Sequence, residues 1–308
     1  GYLGVDIFFV ISGYVITLRL YEDFKINNTI SLKNFFIKRF KRIYPVLVVF
    51  LLTTFIVIII LSPLEYFLNR LYTLLFAFIG LSNFFYLFSK RDYFDTIFED
   101  PLNHTWSLGV EEQFYIIFPI CFLILINISK NNLKFIFYFF ILLIFIGIIF
   151  TFLNRDELKL VFYSPLFRFW QFLFGSVIFF ISLKFNYKNR YLSYLLILII
   201  ISISLSGNSF DNFQKVLLIT IFSSMMLFFC KDTYFYKNNL IGNSALILGN
   251  ISYSFYLWHL PIIYFYDLYY DDSFFRLPVT FLLTILISNF SYLYIENKFR
   301  HFNFKLGK

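Results

Sequence analysis

Apolar residues in this chain come in long runs rather than at the spacing of a half-buried helix or strand, and about 20 of them make one bilayer crossing. Ten such segments are readable: Tyr2–Leu18, Tyr44–Ser62, Leu71–Phe88, Trp106–Ile126, Leu133–Leu153, Leu166–Leu183, Tyr191–Ser206, Gln214–Cys230, Ile251–Tyr266 and Leu277–Ile295. The connections between them are short, and no soluble domain fits there. The pattern predicts an all-α fold: a polytopic transmembrane helical bundle in which residues 1–308 form a single domain.

Charge then sorts the connections, because short loops rich in Lys and Arg stay cytoplasmic. Arg19 to Arg42 holds Arg19, Lys25, Lys33, Lys38, Arg39, Lys41 and Arg42 against Glu22 and Asp23. Lys130 to Lys134, Lys184 to Arg190, Lys231 to Lys237 and the tail Lys298 to Lys308 are also basic. Lys90 to Asp100, Arg155 to Lys159, Gly207 to Asn212 and Asp267 to Asp272 are neutral or acidic. From Lys90 onward these alternate if the loop before His104 is outside and the C-terminus is cytoplasmic. That assignment needs an odd number of crossings between Arg42 and Lys90, where hydropathy offers two. Leu71–Phe88 contains Gly80, Ser82 and Asn83 and follows Pro63 and Glu65, so it is expected to be re-entrant or interfacial, leaving nine crossings.

Composition agrees with a membrane chain: 60% hydrophobic, 25% aromatic and 14% charged, with a mean hydropathy of +0.75. The net charge of +8 does not call for nucleic acid, because the bases sit at the ends of apolar runs, where orientation in the lipid bilayer accounts for them. Cys121 and Cys230 lie inside apolar stretches, which suits neither a disulfide framework nor a zinc site, and no metal is expected.

Polar residues inside the apolar runs carry the candidate chemistry. The stretch Asn103–Tyr115 places His104, Glu111, Glu112 and Gln113 where hydrocarbon is expected. A carboxylate at the centre of a bilayer helix costs roughly 2.5–3.5 kcal/mol on insertion scales, so these groups read either as facing a water-filled cavity or as a polar helix end at headgroup level. Glu111 and Tyr115 stand four apart, and His104 shares their face if the helix reaches that far back. Near the start, Asp6 and Ser12 are six apart and do not share a face. The run Phe35-Phe-Ile-Lys38-Arg39-Phe-Lys41-Arg42-Ile-Tyr-Pro45 abuts the inner face, where it suits anionic lipid or a phosphorylated substrate. His259 lies mid-span before Pro261 and reads either as a proton carrier or as donor to a carbonyl that the proline frees. His301 follows Arg300 in a basic tail, and no role is expected of it.

Taken together, these runs resemble the membrane-bound acyltransferase-3 family, whose members O-acylate cell-envelope and secreted glycans. Gly4–Gly13, Phe35–Pro45 and Trp106–Tyr115 look like its Gly-Val-Asp, Arg-Arg and Trp-Ser-Leu-x-Val-Glu-Glu-Gln-Phe-Tyr motifs. Phe167–Gly175, Ile251–Pro261 and Tyr294–Arg300 look like three later ones, so the resemblance covers the whole chain in order. Three departures accompany it. Lys38 stands where the family usually has Arg, and Asn297-Lys298 replaces the usual x-Pro after Glu296. The family's first helix, with an Arg and the His proposed as its base, lies upstream of the Gly1 motif, so the chain is expected to be truncated at its N-terminus and catalytically incomplete.

The resemblance implies an integral protein of a bacterial inner (cytoplasmic) membrane that moves an acyl group, expected to be acetyl, from acyl-CoA to a glycan hydroxyl on an acceptor of the surface such as a polysaccharide or lipopolysaccharide. Acetyl-CoA enters as donor substrate, and no cofactor is expected. Such a reaction needs a base for the hydroxyl, a donor for the oxyanion and a clamp for the coenzyme's phosphates. The candidate catalytic residues are Glu111, Glu112, Asp6 and His104. The candidate substrate-binding residues are Lys38, Arg39, Arg42, Arg168, His259 and Glu296, with the Arg pair on the phosphates. The alternative is a flippase or transporter of lipid-linked sugars without covalent chemistry, which an internal inverted repeat would favour; none is found.

Overall fold

A computed structural model of the chain describes residues 3–61, 67–89, 100–185, 187, 189–207, 209–230, 240–270 and 273–302, and every described element is helical. In order these are α1 (Leu3–Asn27), α2 (Leu32–Leu61), α3 (Phe67–Phe78), α4 (Ser82–Phe88), α5 (Thr105–Ile128), α6 (Leu133–Leu153), α7 (Leu158–Tyr163), a 3₁₀ turn (Pro165–Phe167), α8 (Phe169–Lys184), α9 (Arg190–Leu205), α10 (Asn212–Cys230), α11 (Leu240–Tyr269), α12 (Ser273–Ser291), a π turn (Tyr292–Glu296) and α13 (Asn297–His301). Of the positions used in the sequence analysis, Gly1, Pro63, Glu65, residues 90–99 and 231–237 and the end of the tail lie outside the described residues.

Among the described residues, seven helical stretches are long and apolar enough to cross a membrane: Leu3–Asn27, Leu32–Leu61, Thr105–Ile128, Leu133–Leu153, Asn212–Cys230, Ser244–Tyr269 and Phe274–His301. Phe67–Phe78, Phe169–Lys184 and Tyr191–Leu205 are apolar but shorter. The segment expected to be interrupted, Leu71–Phe88, is not one helix. It breaks at Gly80, whose φ of 72° an L side chain rarely adopts, and α3, at 12 residues and about 18 Å, falls short of a hydrocarbon layer of about 30 Å.

The chain divides into two compact units, Gly1–Leu32 with Val110–Tyr234, and Lys33–Gly109 with Phe235–Lys308. Helix α5 gives its first turn to the second unit and the rest to the first.

In the first unit α1 packs on α8, and glycines set how closely. A Cβ on Gly13 would stand 2.6 Å from the carbonyl carbon of Phe172, and one on Gly175 would stand 2.7 Å from the nitrogen of Tyr14. Small residues on both sides let the backbones approach as in membrane helix pairs, where dispersion and polar contacts replace the hydrophobic effect. Thr17 supplies the polar part, its Oγ1 lying 2.7 Å from the Gly13 carbonyl and 2.8 Å from Ser176 Oγ. Phe172 stacks on Phe9 at 4.4 Å and on Phe114 at 4.2 Å, joining α1, α5 and α8. Helix α6 approaches α8 through Gly147, where a Cβ would meet that of Trp170 at 2.7 Å.

In the second unit α11 packs on α12. The break at Gly80 holds the start of α5: Ser82 Oγ donates to the Thr105 carbonyl at 2.7 Å, and a Cβ on Gly109 would lie 2.8 Å from Asn83 Oδ1 and 3.1 Å from the Gly80 carbonyl. The basic run Lys38–Arg42, read by charge as part of the connection from Arg19 to Arg42, is helical and belongs to the first turns of α2, which continues through Pro45.

Candidate functional site

Two of the predicted acids meet partners in the first unit. Asp6, 1% exposed, sits in the first turn of α1, and its Oδ1 accepts from Arg168 Nη1 at 3.0 Å and from Gln171 Nε2 at 2.8 Å. Arg168 caps α8 and also donates through Nε to the Phe162 carbonyl at 3.0 Å. Arg168, predicted to bind substrate, is thus held against a buried carboxylate. On another face of α1, as the spacing requires, Ser12 Oγ donates to Glu111 Oε1 at 2.5 Å and lies 3.3 Å from the Tyr115 hydroxyl. Glu111 and Tyr115 share a face of α5 as predicted, and Glu111 is 1% exposed, with Glu112 buried next to it. A carboxylate buried this deeply needs hydrogen-bond donors, and the Ser12 hydroxyl of α1, itself beside the Tyr115 hydroxyl, is one that reaches it.

The histidines meet in the second unit. Pro261 has no N–H, so the Leu257 carbonyl one turn back loses its helical donor. One of the two readings of His259 has it fill that place. It is filled instead by His104, whose Nε2 lies 3.1 Å from the Leu257 oxygen, while His259 Nδ1 donates to the Tyr256 carbonyl at 2.6 Å. A carbonyl only accepts, so the partners assign the tautomers: His104 carries its proton on Nε2 and His259 on Nδ1. Each ring therefore keeps a lone pair on its other nitrogen, and the rings lie 5.1 Å apart. Burial first, and then the neighbouring His259, hold the pKa of His104 well below the ordinary 6.5, so it is neutral at physiological pH. Tyr256 fastens this end of α5, its hydroxyl donating to the His104 carbonyl at 2.6 Å and pairing with Ser107 Oγ. The neighbour of His104 through Leu257 is thus a consequence of a proline 157 positions away in sequence, a juxtaposition that spacing alone does not reveal.

On α2 of the same unit, Lys38 is exposed and Arg39 and Arg42 are half-buried, with Arg39 over the Phe35 ring at 5.7 Å. Lys41 Nζ donates to the Phe302 carbonyl at 2.8 Å, and Tyr253 donates to the Ile43 carbonyl at 3.2 Å. Glu296, on the π turn and 2% exposed, accepts from Ser254 at 3.1 Å and feels the charges of Arg42 and Arg300. The structure thus brings Arg42 and Glu296 into one electrostatic neighbourhood.

A further buried cluster escaped the sequence reading. Arg70 of α3, 3% exposed, pairs with the Tyr264 hydroxyl, and its guanidinium stands over that ring. Near it Asp100 accepts from Tyr86 at 2.9 Å and from the Leu102 amide at 2.9 Å. Burial raises the Asp100 pKa, against the lowering effect of these donors and of Arg70. The signal was present in the sequence: Arg70 is a lone cation next to the interrupted segment. Among the described residues no group of His, Cys, Asp and Glu is arranged to hold a metal.

Known proteins place the chain. The model of the family described as "Acyltransferase domain" (acyltransferase-3) matches residues 1–294. O-acetyltransferase OatA of Staphylococcus aureus strain NCTC 8325 is 30% identical over 329 residues, covering 99% of this chain and 53% of that protein. A protein of S. aureus strain COL provisionally named as an O-acetyltransferase is 30% identical over 319 residues, covering 97% of this chain and 53% of its own length. The chain spans about half the length of the curated relatives it matches, and no solved structure matches it. With nearly its whole length matched, the chain belongs to the membrane acyltransferase-3 family.

Proposed function

We propose that this chain is the membrane domain of an O-acyltransferase that moves an acetyl group from acetyl-CoA to a hydroxyl of a cell-surface or exported glycan. The observation that carries the reading is the family match over residues 1–294, supported by two relatives that bear the name O-acetyltransferase. In the reaction the hydroxyl oxygen attacks the thioester carbonyl, the C–S bond breaks, and the hydroxyl proton passes through a base to the departing thiolate.

The chain sits in the inner membrane of a bacterium with its C-terminus in the cytoplasm and crosses nine times. The shorter helices α8 and α9 cross, and α3–α4 is re-entrant. The charge alternation of the loops and the break at Gly80 support this path. Arg39 and Arg42, with Lys38 alongside, then lie at the cytoplasmic face, where they hold the phosphates of the donor, and Glu296 orients Arg42. By the same charge reading Asp6, Glu111, Glu112 and Arg168 of the first unit, and His104 of the second, each lie toward the outer side, and the burial of these charged or polar groups supports a role beyond packing.

The test is genetic and chemical. Deleting the gene should remove base-labile O-acetyl groups from the envelope glycans of its host. Restoring the native protein should return them, and restoring Arg42→Ala should return them only when donor is abundant, with the half-saturating acetyl-CoA raised about tenfold or more, since a hydrogen bond to a charged group contributes about 1.5–3 kcal/mol. Unchanged glycan acetylation on deletion would end the proposal.

A further inference from the structure

Among the described residues of the second unit, three polar atoms are closed from solvent and find no partner: His104 Nδ1, Trp258 Nε1 and Thr54 Oγ1. His104 and Trp258 flank Phe50, and Thr54 lies on the same helix as Phe50. Its ring stands edge-on 6.0 Å from the His104 ring and 5.2 Å from the Trp258 ring, and Thr54 follows one turn later on the same face of α2. His104 itself is 7% exposed and Trp258 9%.

Their chemistry is complementary. His104 spends its N–H on the Leu257 carbonyl, so Nδ1 presents a lone pair and accepts only. The Trp258 indole N–H donates only. Thr54 does neither locally, unlike Thr53 beside it, whose hydroxyl turns back to the Val49 carbonyl at 2.8 Å. A group that satisfies all three must donate once and accept at the same atom, and this describes an alcohol hydroxyl. A phosphodiester and an ionised carboxylate have no proton to donate, and none of these three residues or Phe50 carries a positive charge to hold an anion. The depressed basicity of His104 keeps its lone pair available at neutral pH.

We propose that His104, Trp258 and Thr54 bind the acceptor hydroxyl of the glycan, its proton directed to His104 Nδ1 and its oxygen receiving the Trp258 N–H. The proposal rests on the O-acyltransferase reading and adds the place where the acceptor alcohol is held. The aromatic rings of Phe50, Tyr256 and His259 around His104 exclude water from that place.

The experiment uses the native full-length protein in membranes, with radiolabelled acetyl-CoA as donor and a solubilised envelope-glycan fraction of the host as acceptor, each varied separately. Trp258→Phe keeps the ring and removes only the N–H, so it should raise the half-saturating glycan concentration about tenfold or more while leaving the half-saturating acetyl-CoA unchanged, because a site built around a hydroxyl's hydrogen bonds loses them selectively. His104→Gln keeps a donor for Leu257 and should show the same split, with a lower maximal rate. If both variants keep the wild-type glycan dependence, the three atoms serve an internal water or packing only, and the proposal is overturned. A loss of folding in His104→Gln leaves Trp258→Phe as the deciding variant. If the wild-type protein transfers no label to glycan at all, the O-acyltransferase reading falls and this proposal falls with it, an outcome distinct from transfer that ignores both substitutions.

Discussion

Removing one partner of the Asp6–Arg168 pair should unfold the first unit far more readily than removing both. Both residues are buried, at 1% and 4% exposure, and the two donors to Asp6 converge on the one oxygen, Oδ1. Arg168→Gln leaves Asp6 with neutral amide donors alone against a full charge. Breaking a buried pair by deleting one member costs about 3–5 kcal/mol, most of it the desolvated charge left behind. Asp6→Asn in the presence of Arg168 strands the guanidinium in the same way, apart from its bond to the Phe162 carbonyl. The double variant Asp6→Asn with Arg168→Gln removes both charges and keeps amides that bond to each other and to Gln171. Its loss should therefore be smaller than the sum of the single losses by at least about 1.5 kcal/mol, within the range of couplings measured for contacting residues. The assay is denaturant titration of the purified protein in mild detergent, read by intrinsic tryptophan fluorescence. Trp170, 1% exposed and two residues from Arg168, reports from the same unit. Single losses below about 1 kcal/mol, or losses that simply add, would contradict an ionised buried pair.

Other outcomes follow from the same structure. Gly13→Ala and Gly175→Ala each place a methyl into backbone of the facing helix, so each should cost about 1–3 kcal/mol or more in the same titration, whereas Gly4→Ala, whose added carbon meets nothing within 4 Å, should be nearly silent. Stability should depend on pH through His104: its folded pKa lies below the ordinary 6.5, so the folded state holds fewer protons, and stability is full above 6.5 and declines as pH falls toward the depressed value. His104→Gln should flatten that decline, and an unchanged pH slope in the variant would assign it elsewhere. With Cys121 and Cys230 replaced, a cysteine at Asp156 should react with an impermeant thiol reagent from outside the cell and one at Asn189 should not; the reverse pattern would remove the nine-crossing path.

How much of this was legible in the sequence depends on the range of the interaction. Helices were legible because long apolar runs leave few alternatives, and the interruption at Gly80 was legible because glycine among Ser82 and Asn83 breaks such a run. Helix ends were read less well. The bases from Lys33 to Arg42 extend α2 past its apolar part, since hydropathy measures what tolerates lipid while a helix continues for as long as its backbone bonds are satisfied. Glu111 and Tyr115 were placed on one face by spacing alone. Their partner Ser12, the Asp6–Arg168–Gln171 set and the Arg70–Tyr264 pair were not, because each joins residues far apart in sequence. The histidines show the limit most clearly. The carbonyl freed by Pro261 was anticipated, but the donor that reaches it comes from His104 rather than from the histidine nearest in sequence.

The central claim is group transfer from acetyl-CoA across to a glycan, and inside-out membrane vesicles containing the native full-length protein test it most directly. Acetyl-CoA labelled in the acetyl carbonyl is added to the exposed cytoplasmic face, and the envelope glycan is then recovered and treated with mild base. The account predicts label in the glycan, released by base as acetate, and lost when Arg39 and Arg42 are both changed to alanine. Glycan that moves across the vesicle membrane without acquiring label would contradict it and assign the protein to transport.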